Sequence, residues 1–191
     1  MRWLREVYTE LASASSALDD EPVSLVRQNL AMARVYLETT ILSYLVAAPS
    51  RDVQVNAHQV VTKLWWQQAH TRFELVVSAV TLDEAAAGDP DAARARMSLV
   101  AGLPAVPVTP EVRDLARSLI SGGIIPGKAL ADALHVAAAA VNRLEYLVTW
   151  NLKHLAGAIV RRRLENGLRE RGYESPTICT PEELLAEPEE S

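Results

Sequence analysis

The sequence predicts an α/β protein built as a three-layer α/β/α sandwich, with a central parallel sheet of four or five strands. Short segments that are apolar at almost every position, such as residues 73 to 78, alternate with helical patterns of ten or more residues. Such strands are typical of a parallel sheet, because helices cover both of its faces. This domain is predicted for residues 34 to 185. A helical N-terminal extension (residues 1 to 33) precedes it, and an acidic tail that we expect to be disordered (residues 186 to 191) follows it.

The strand predictions rest on short runs of β-branched and aromatic residues. The strands are predicted at residues 34 to 37, 73 to 78, 104 to 108 and 146 to 150, with a short edge strand at 177 to 179. No GxGxxG motif follows the first strand and no GxxxxGK[ST] motif occurs, which excludes the usual dinucleotide and P-loop sites. In an open parallel sheet, ligands bind beyond the carboxyl ends of the strands, so polar residues at those ends are the candidates for function.

The helices between the strands are predicted from apolar periodicity and from end signals. Thr109 followed by Pro110 begins one helix, which Gly122 and Gly123 end, and an alanine-rich helix is predicted from 126 to 143. A long helix is predicted from 52 to 71. We expect its apolar residues to face the core, namely Val53, Ala57, Val60, Val61, Leu64 and Trp65. Trp65 and Trp66 are expected in the core and at its rim, the alternative being a platform for base stacking.

The composition fits one globular domain and narrows the classes of function. Of the 191 residues, 49% are hydrophobic, which is enough for one core. The net charge of -5 argues against a protein that binds duplex DNA through a general positive charge. The single cysteine, Cys179, excludes an internal disulfide and is typical of a reducing compartment. Because neither a signal peptide nor a membrane-spanning segment is recognisable, we expect a cytoplasmic protein without contact to the membrane.

Polar residues collect where the predicted strands end. They are Glu38, Thr39, Thr40 and Ser43 after the first strand, Ser78 and Glu84 after the second, and Thr149, Asn151 and His154 after the fourth. Asp132 adds a carboxylate from an otherwise small and apolar helix, where an acid must be paired or coordinating. Carboxylates, hydroxyls and an amide without a cysteine cluster form the ligand set that Mg²⁺ or Mn²⁺ prefers. The matching chemistry is metal-assisted hydrolysis of a phosphodiester.

Each candidate also has a structural interpretation. Glu38 is alternatively a cap of the turn that follows it, and Asp132 is alternatively the buried partner of Lys128. Asn151 is nearly as good an N-cap of the next helix as it is a site residue, and it could do both. His154 either contacts the substrate or is a partly buried structural residue. His135, one turn beyond Asp132, is expected to be structural.

Four segments together carry a resemblance to a known family. They are residues 35 to 40 (VYLETT), 78 to 84 (SAVTLDE), 131 to 137 (ADALHVA) and 146 to 151 (YLVTWN). Taken in order, and each at a predicted strand end or helix, they resemble the PIN-domain family and, within it, the VapC-like toxins of bacterial toxin–antitoxin pairs. The resemblance covers residues 34 to 185 and implies a PIN-like fold.

The resemblance implies an endoribonuclease that depends on Mg²⁺ or Mn²⁺ and hydrolyses RNA through a metal-activated water, leaving 5′-phosphate and 3′-hydroxyl ends. It also implies a homodimer and a small antitoxin protein as partner. Carried over by position, the catalytic and metal-binding residues are Glu38, Glu84, Asp132 and Asn151. Other residues are implied to contact the metal ligands or the substrate, namely Thr39, Thr40, Ser43, Thr149 and His154. The arginines 161 to 163, with Arg169 and Arg171, are either a solvated face or contacts for phosphate or for an acidic antitoxin segment.

The chain departs from the family pattern at two of these positions. Glu38 stands where the family usually has aspartate, and Asn151 stands where the family often has aspartate. Because Glu38 is longer than an aspartate, the geometry of the metal site would differ. Because Asn151 is neutral, one firmly held metal ion is favoured over two. The alternative function is therefore a non-catalytic PIN-like module that binds RNA or a protein and whose metal site has decayed.

Overall fold

A five-stranded parallel sheet lies at the centre of the described chain, which comprises residues 32 to 185 of this computed structural model. The strands are β1 (Ala33–Leu37), β2 (Phe73–Ser78), β3 (Ala105–Val106), β4 (Tyr146–Val148) and β5 (Thr177–Cys179), in the order β3-β2-β1-β4-β5. The predicted α/β fold with a parallel sheet of four or five strands is confirmed. The extension predicted for residues 1 to 33 lies outside the described residues except for its last two positions, and the tail predicted for 186 to 191 lies wholly outside them.

Eight α-helices accompany the sheet in this part of the chain. They are α1 (Thr39–Val46), α2 (Val53–Arg72), α3 (Ala79–Ala85), α4 (Pro90–Val100), α5 (Pro110–Ser121), α6 (Leu130–Val141), α7 (Ala158–Arg169) and α8 (Pro181–Leu185). A π-helical segment, Leu152–Ala156, follows β4. The predicted start of α5 is confirmed, since Thr109 accepts a hydrogen bond from Val112 N and Pro110 is the first helical residue. None of these helices is long and apolar enough to cross a membrane.

The strands alternate their side chains between two apolar cores, one on each face of the sheet. On one face, Tyr36 and Leu147 pack with residues of α5, α6 and α7. On the other, Leu37 and Val148 pack with residues of α1, α2, α4 and α8. Both faces of the sheet are therefore covered, which gives the three layers that the sequence predicts and explains why the strands are almost wholly apolar.

The predicted inward face of α2 is wrong for four of its six residues, since Val53, Ala57, Val60 and Leu64 are all exposed. Val53, Val60 and Leu64 are 84%, 48% and 50% exposed, whereas Trp65 is fully buried as predicted. The buried face instead contains Gln59, Thr62 and Ala69 in addition to Trp65.

The two polar residues on that face are buried because each has partners. The Gln59 amide donates to Ala48 O and accepts from Ser50 N, so it closes the loop before α2. Thr62 Oγ1 accepts from Trp150 Nε1 at 2.7 Å. These contacts decide which side of α2 faces the sheet.

The strand register brings the ends of β1, β2 and β4 to one edge of the sheet. Leu37 pairs with Val148, and Tyr36 pairs with Val76. The residues that follow, Glu38 after β1 and Thr149 after β4, are consequently neighbours. Helix α3 follows β2 at this edge and carries Glu84 in its last turn, and α6 carries Asp132 in its first turn.

A matched pair of leucine substitutions tests the corrected orientation of α2. Leu119 on α5 is fully buried, so Leu119→Ala should lower the free energy of unfolding by about 2–5 kcal/mol. Leu64→Ala, made at a half-exposed position, should change it by no more than about 0.5 kcal/mol. Urea unfolding followed by circular dichroism measures both values. A loss at Leu64 as large as that at Leu119 would show that this face of α2 is buried in solution.

Candidate metal centre

Glu38 is a buried carboxylate at the end of the central strand, and hydrogen bonds to one of its two oxygens hold its side chain in place. The residue is 5% exposed. Glu38 Oε2 accepts hydrogen bonds from Thr40 N at 3.1 Å, Thr40 Oγ1 at 2.5 Å and Thr149 Oγ1 at 2.7 Å. Glu38 also caps α1, as the structural interpretation of this residue predicts. The cap uses only Oε2, and Oε1 accepts no hydrogen bond from the described residues.

Glu84 lies on α3 and is also held through one oxygen. Its Oε2 accepts from Thr39 Oγ1 at 2.5 Å and pairs with His135 Nε2 at 2.9 Å. The side chain of Glu84 is 37% exposed, whereas that of His135 is 1% exposed. Burial would raise the pKa of Glu84, but the hydrogen bonds from His135 and Thr39 outweigh it and hold the pKa below its ordinary value.

Asp132, half-buried in the first turn of α6, is held by the segment that follows β4. Asn151 Nδ2 donates to Asp132 Oδ1 at 3.0 Å, while Asn151 Oδ1 accepts from His154 N at 3.0 Å. Asn151 is thus both the cap of the π-helical segment and a partner of an acid, the double role left open by the sequence. In the described part of the chain, no ion pair joins Asp132 to Lys128.

Gly157 allows the π-helical segment that carries Asn151 and His154 to end tightly. A Cβ atom at this position would lie 2.5 Å from the carbonyl oxygen of Leu152, which is too close for any other residue. The glycine therefore helps to keep the segment after β4 against the carboxylates.

Three side chains come close enough to share one ion. Ligand atoms of Glu38, Glu84 and His135 lie within 4.8 Å of one another. Asp132 is not part of that group, although the charges of Glu38 and Glu84 act on it. The structure therefore brings two of the predicted acids together, places the third nearby, and adds a histidine that was expected to be only structural.

The predicted hydroxyls divide into two groups. Thr39, Thr40 and Thr149 each donate to one of the two glutamates. Ser43 makes no side-chain hydrogen bond to these acids among the described residues. Thr40 and Thr149 also accept from the backbone N–H groups of Trp150 and Asn151, which ties the segment after β4 to α1.

Two features of the site were not recognisable from the sequence. One is the pairing of His135 with Glu84, and the other is the role of Tyr36, whose hydroxyl lies 2.8 Å from His135 Nδ1. The spacing of Asp132 and His135, one turn apart on one helix, was the only local signal. Tyr36 has the appearance of an ordinary strand aromatic, and nothing in its neighbours along the chain indicates a partner on α6.

The electrostatics of the site raise the pKa of two of its groups, His135 and Asp132. Burial alone would lower the pKa of His135, but Tyr36, the hydrogen bond to Glu84 and the charge of Glu38 outweigh it and raise the pKa to about 10. Burial also raises the pKa of Asp132, which the nearby His154 offsets in part and the charge of Glu38 raises further. Both shifts have the direction expected where carboxylates gather without enough positive charge.

Three arginines in and just after α7 form hydrogen bonds with other parts of the protein. Arg161 donates to Ile178 O and to Glu183, Arg163 donates to Gly123 O, and Arg171 bonds to Ser118. These hydrogen bonds connect α7 to β5, α8 and the end of α5. Arg161 and Arg171 therefore have structural roles, whereas Arg162, Arg163 and Arg169 are exposed, as expected for a solvated face.

The pair formed by His135 and Glu84 predicts how stability depends on pH in the metal-free protein. A histidine whose pKa is raised from 6.5 to about 10 stabilises the fold fully below 6.5, and this contribution is lost as the pH rises through about 10. In EDTA, the difference in free energy of unfolding between wild type and His135→Gln should therefore shrink between pH 6.5 and 10. Urea unfolding across this range measures it, and a constant difference would contradict the raised pKa.

Comparison with known proteins supports the fold. No family model and no curated protein matches the sequence. Among solved structures, the chain is similar to one in the crystal structure of VapBC2 from Rickettsia felis bound to a DNA fragment from their promoter. The TM-score is 0.50 at 15% identity, over 77% of this chain and 98% of that chain. At this identity the likeness shows the fold alone, and the five-stranded parallel sheet flanked by helices is consistent with a PIN-like sandwich.

Proposed function

We propose that this protein is a divalent-metal-dependent endoribonuclease and the toxin of a toxin–antitoxin pair. The observation that carries the proposal is the gathering of Glu38 and Glu84, with Asp132 nearby, at the carboxyl edge of the sheet. The likeness to VapBC2 supports the toxin–antitoxin context. An RNA substrate, a small antitoxin partner, a homodimer and a cytoplasmic location belong to the same proposal.

The donor set fits a hard divalent cation such as Mg²⁺ or Mn²⁺. Each of the three carboxylates has one oxygen that accepts hydrogen bonds, from Thr40 and Thr149, from Thr39 and His135, or from Asn151. In each case the second oxygen accepts no hydrogen bond from the described residues and is left for a ligand. Carboxylate oxygens oriented by hydrogen bonds are the ligands that these cations select.

In this proposal Glu38, Glu84 and Asp132 hold the ion, and Asn151 assists. Asn151 Oδ1 accepts one hydrogen bond and keeps a second lone pair, so its carbonyl group can also serve as a ligand. His154, which is half-buried and whose charge acts on Asp132, would contact the substrate. When bound, the cation would neutralise charge on the scissile phosphate and lower the pKa of a water molecule. Without it, the carboxylates repel the phosphates of RNA.

Metal binding can be tested without reference to activity. Mn²⁺ at about 100 times its Kd should stabilise the wild type by about 2.7 kcal/mol, a rise in Tm of roughly 5–11 °C for a domain of this size. Glu84→Gln should lose this rise because it removes a ligand charge. The matched control is Asp83→Asn, which removes the exposed neighbouring acid of α3 and should keep the full rise. An equal rise in Glu84→Gln would exclude Glu84 as a ligand.

Cleavage of a structured RNA in Mn²⁺ distinguishes the enzyme from the non-catalytic alternative. We expect the wild type to cut the RNA and EDTA to stop the reaction. Asp132→Asn should reduce the rate of cleavage by about 100-fold or more. Mutation of residues that only orient metal ligands already lowers metal affinity or activity by 10–100-fold. Asp83→Asn again serves as the control. If the wild type binds Mn²⁺ and RNA but cuts nothing, the non-catalytic module is the better description, and equal rates in wild type and Asp132→Asn would refute the assignment of Asp132.

A further inference from the structure

A buried chain of hydrogen bonds runs from the sheet to Glu84. His135 is fully buried, and both of its ring nitrogens have partners: Nε2 lies 2.9 Å from Glu84 Oε2, and Nδ1 lies 2.8 Å from Tyr36 Oη. The Tyr36 hydroxyl lies 2.6 Å from Ser78 Oγ and accepts from Thr81 Oγ1 at 3.1 Å. The imidazole therefore cannot turn without breaking two hydrogen bonds in the core.

The direction of these hydrogen bonds fixes what Nε2 can do. An ionised carboxylate only accepts, so His135 Nε2 must carry a hydrogen and donate it to Glu84. If the ring is neutral, Nδ1 accepts from the Tyr36 hydroxyl, and if the ring is charged, Nδ1 donates to it. In both states Nε2 has no lone pair to offer a metal, although it lies within 4.8 Å of ligand atoms of Glu38 and Glu84.

Of the two glutamates, Glu84 depends more on such support. Glu38 is buried and receives its donors from Thr40 and Thr149, at the ends of β1 and β4. Glu84 instead lies on the seven-residue helix α3, and its side chain is 37% exposed. Only Thr39 and His135 hold its carboxylate among the described residues, and His135 is the one that is fixed in the core.

We propose that His135 is a positioning residue, held in place by Tyr36, that fixes the Glu84 carboxylate for the metal and is not a ligand itself. The inference rests on the proposed metal-binding function. Tyr36 lies on β1 two residues before Glu38, so the same strand sets the position of both glutamates, one directly and one through His135. Partners that orient metal ligands in this way contribute 10–100-fold to metal affinity in other proteins.

Removal of one hydroxyl tests the proposal. Tyr36→Phe keeps the ring that packs in the core and loses only the contact to Nδ1, so the Kd for Mn²⁺ should rise about 10–100-fold. The matched control is Thr62→Val, which removes a buried hydroxyl that accepts from Trp150 Nε1 and should leave the Kd unchanged. Calorimetric titration with Mn²⁺ measures the affinities, and circular dichroism in EDTA shows whether each variant is folded.

A second pair of variants keeps the test valid if Tyr36→Phe does not fold. The glutamine amide in His135→Gln can still donate to Glu84, whereas His135→Leu cannot, so His135→Gln should bind Mn²⁺ more tightly than His135→Leu. Nitrogen-15 NMR of His135 supplies a signature that does not depend on stability. With saturating Mg²⁺, Nε2 should keep its proton.

The outcomes separate this inference from the proposed function. If the wild type binds neither Mn²⁺ nor Mg²⁺, both fail. If the wild type binds but Tyr36→Phe binds as tightly as Thr62→Val, the positioning role alone is refuted. Equal affinities of His135→Gln and His135→Leu would refute it as well. Loss of the proton from Nε2 on binding Mg²⁺ would make His135 a ligand and overturn the inference.

Discussion

The site depends on the burial of one charged side chain, Glu38, at the end of the central strand. Removing a carboxylate from water costs several kcal/mol unless hydrogen bonds replace the lost hydration. Three donors converge on Glu38 Oε2, and a hydrogen bond to a charged group contributes about 1.5–3 kcal/mol. Two of the donors come from Thr40 in the first turn of α1 and one comes from Thr149 after β4. The pairing of Leu37 with Val148 is thus also what supplies the donor that makes the buried charge tolerable.

The second glutamate is accommodated by a different means. Glu84 approaches Glu38 from α3, and two carboxylates at this distance repel each other. His135 and Thr39 offset the repulsion by donating to Glu84. Because His135 is anchored to Tyr36 on β1, the positions of the two glutamates are coupled through the central strand rather than set independently. A change on β1 far from solvent would therefore affect Glu84, the more exposed of the two glutamates.

Sequence patterns predicted what is local and failed where tertiary contacts decide. The strands, the start of α5 and the acids at the ends of strands could be predicted, because apolar runs, caps and strand ends are properties of neighbouring residues. The buried face of α2 could not be, because Thr62 is turned inward by Trp150, which is 88 residues away. The contact of Tyr36 with His135 spans 99 residues and could not be predicted either. In the case of α2, a polar partner outweighed the apolar periodicity.

Two pKa shifts show how the gathered carboxylates act on their neighbours. Burial should make the His135 ring neutral, yet its pKa is raised to about 10, and the pKa of Asp132 is raised as well. Burial opposes the shift of His135, which Tyr36 and the hydrogen bond to Glu84 cause, and burial is the main cause of the shift of Asp132, while the charge of Glu38 adds to both. A cation bound among these carboxylates would lower the pKa of His135, so cation binding is coupled to release of the proton on Nδ1, while Nε2 keeps the proton that it donates to Glu84. These contacts explain why a histidine stands in an otherwise apolar part of α6. An apolar residue at position 135 could neither donate a hydrogen bond to Glu84 nor carry a positive charge beside the two glutamates.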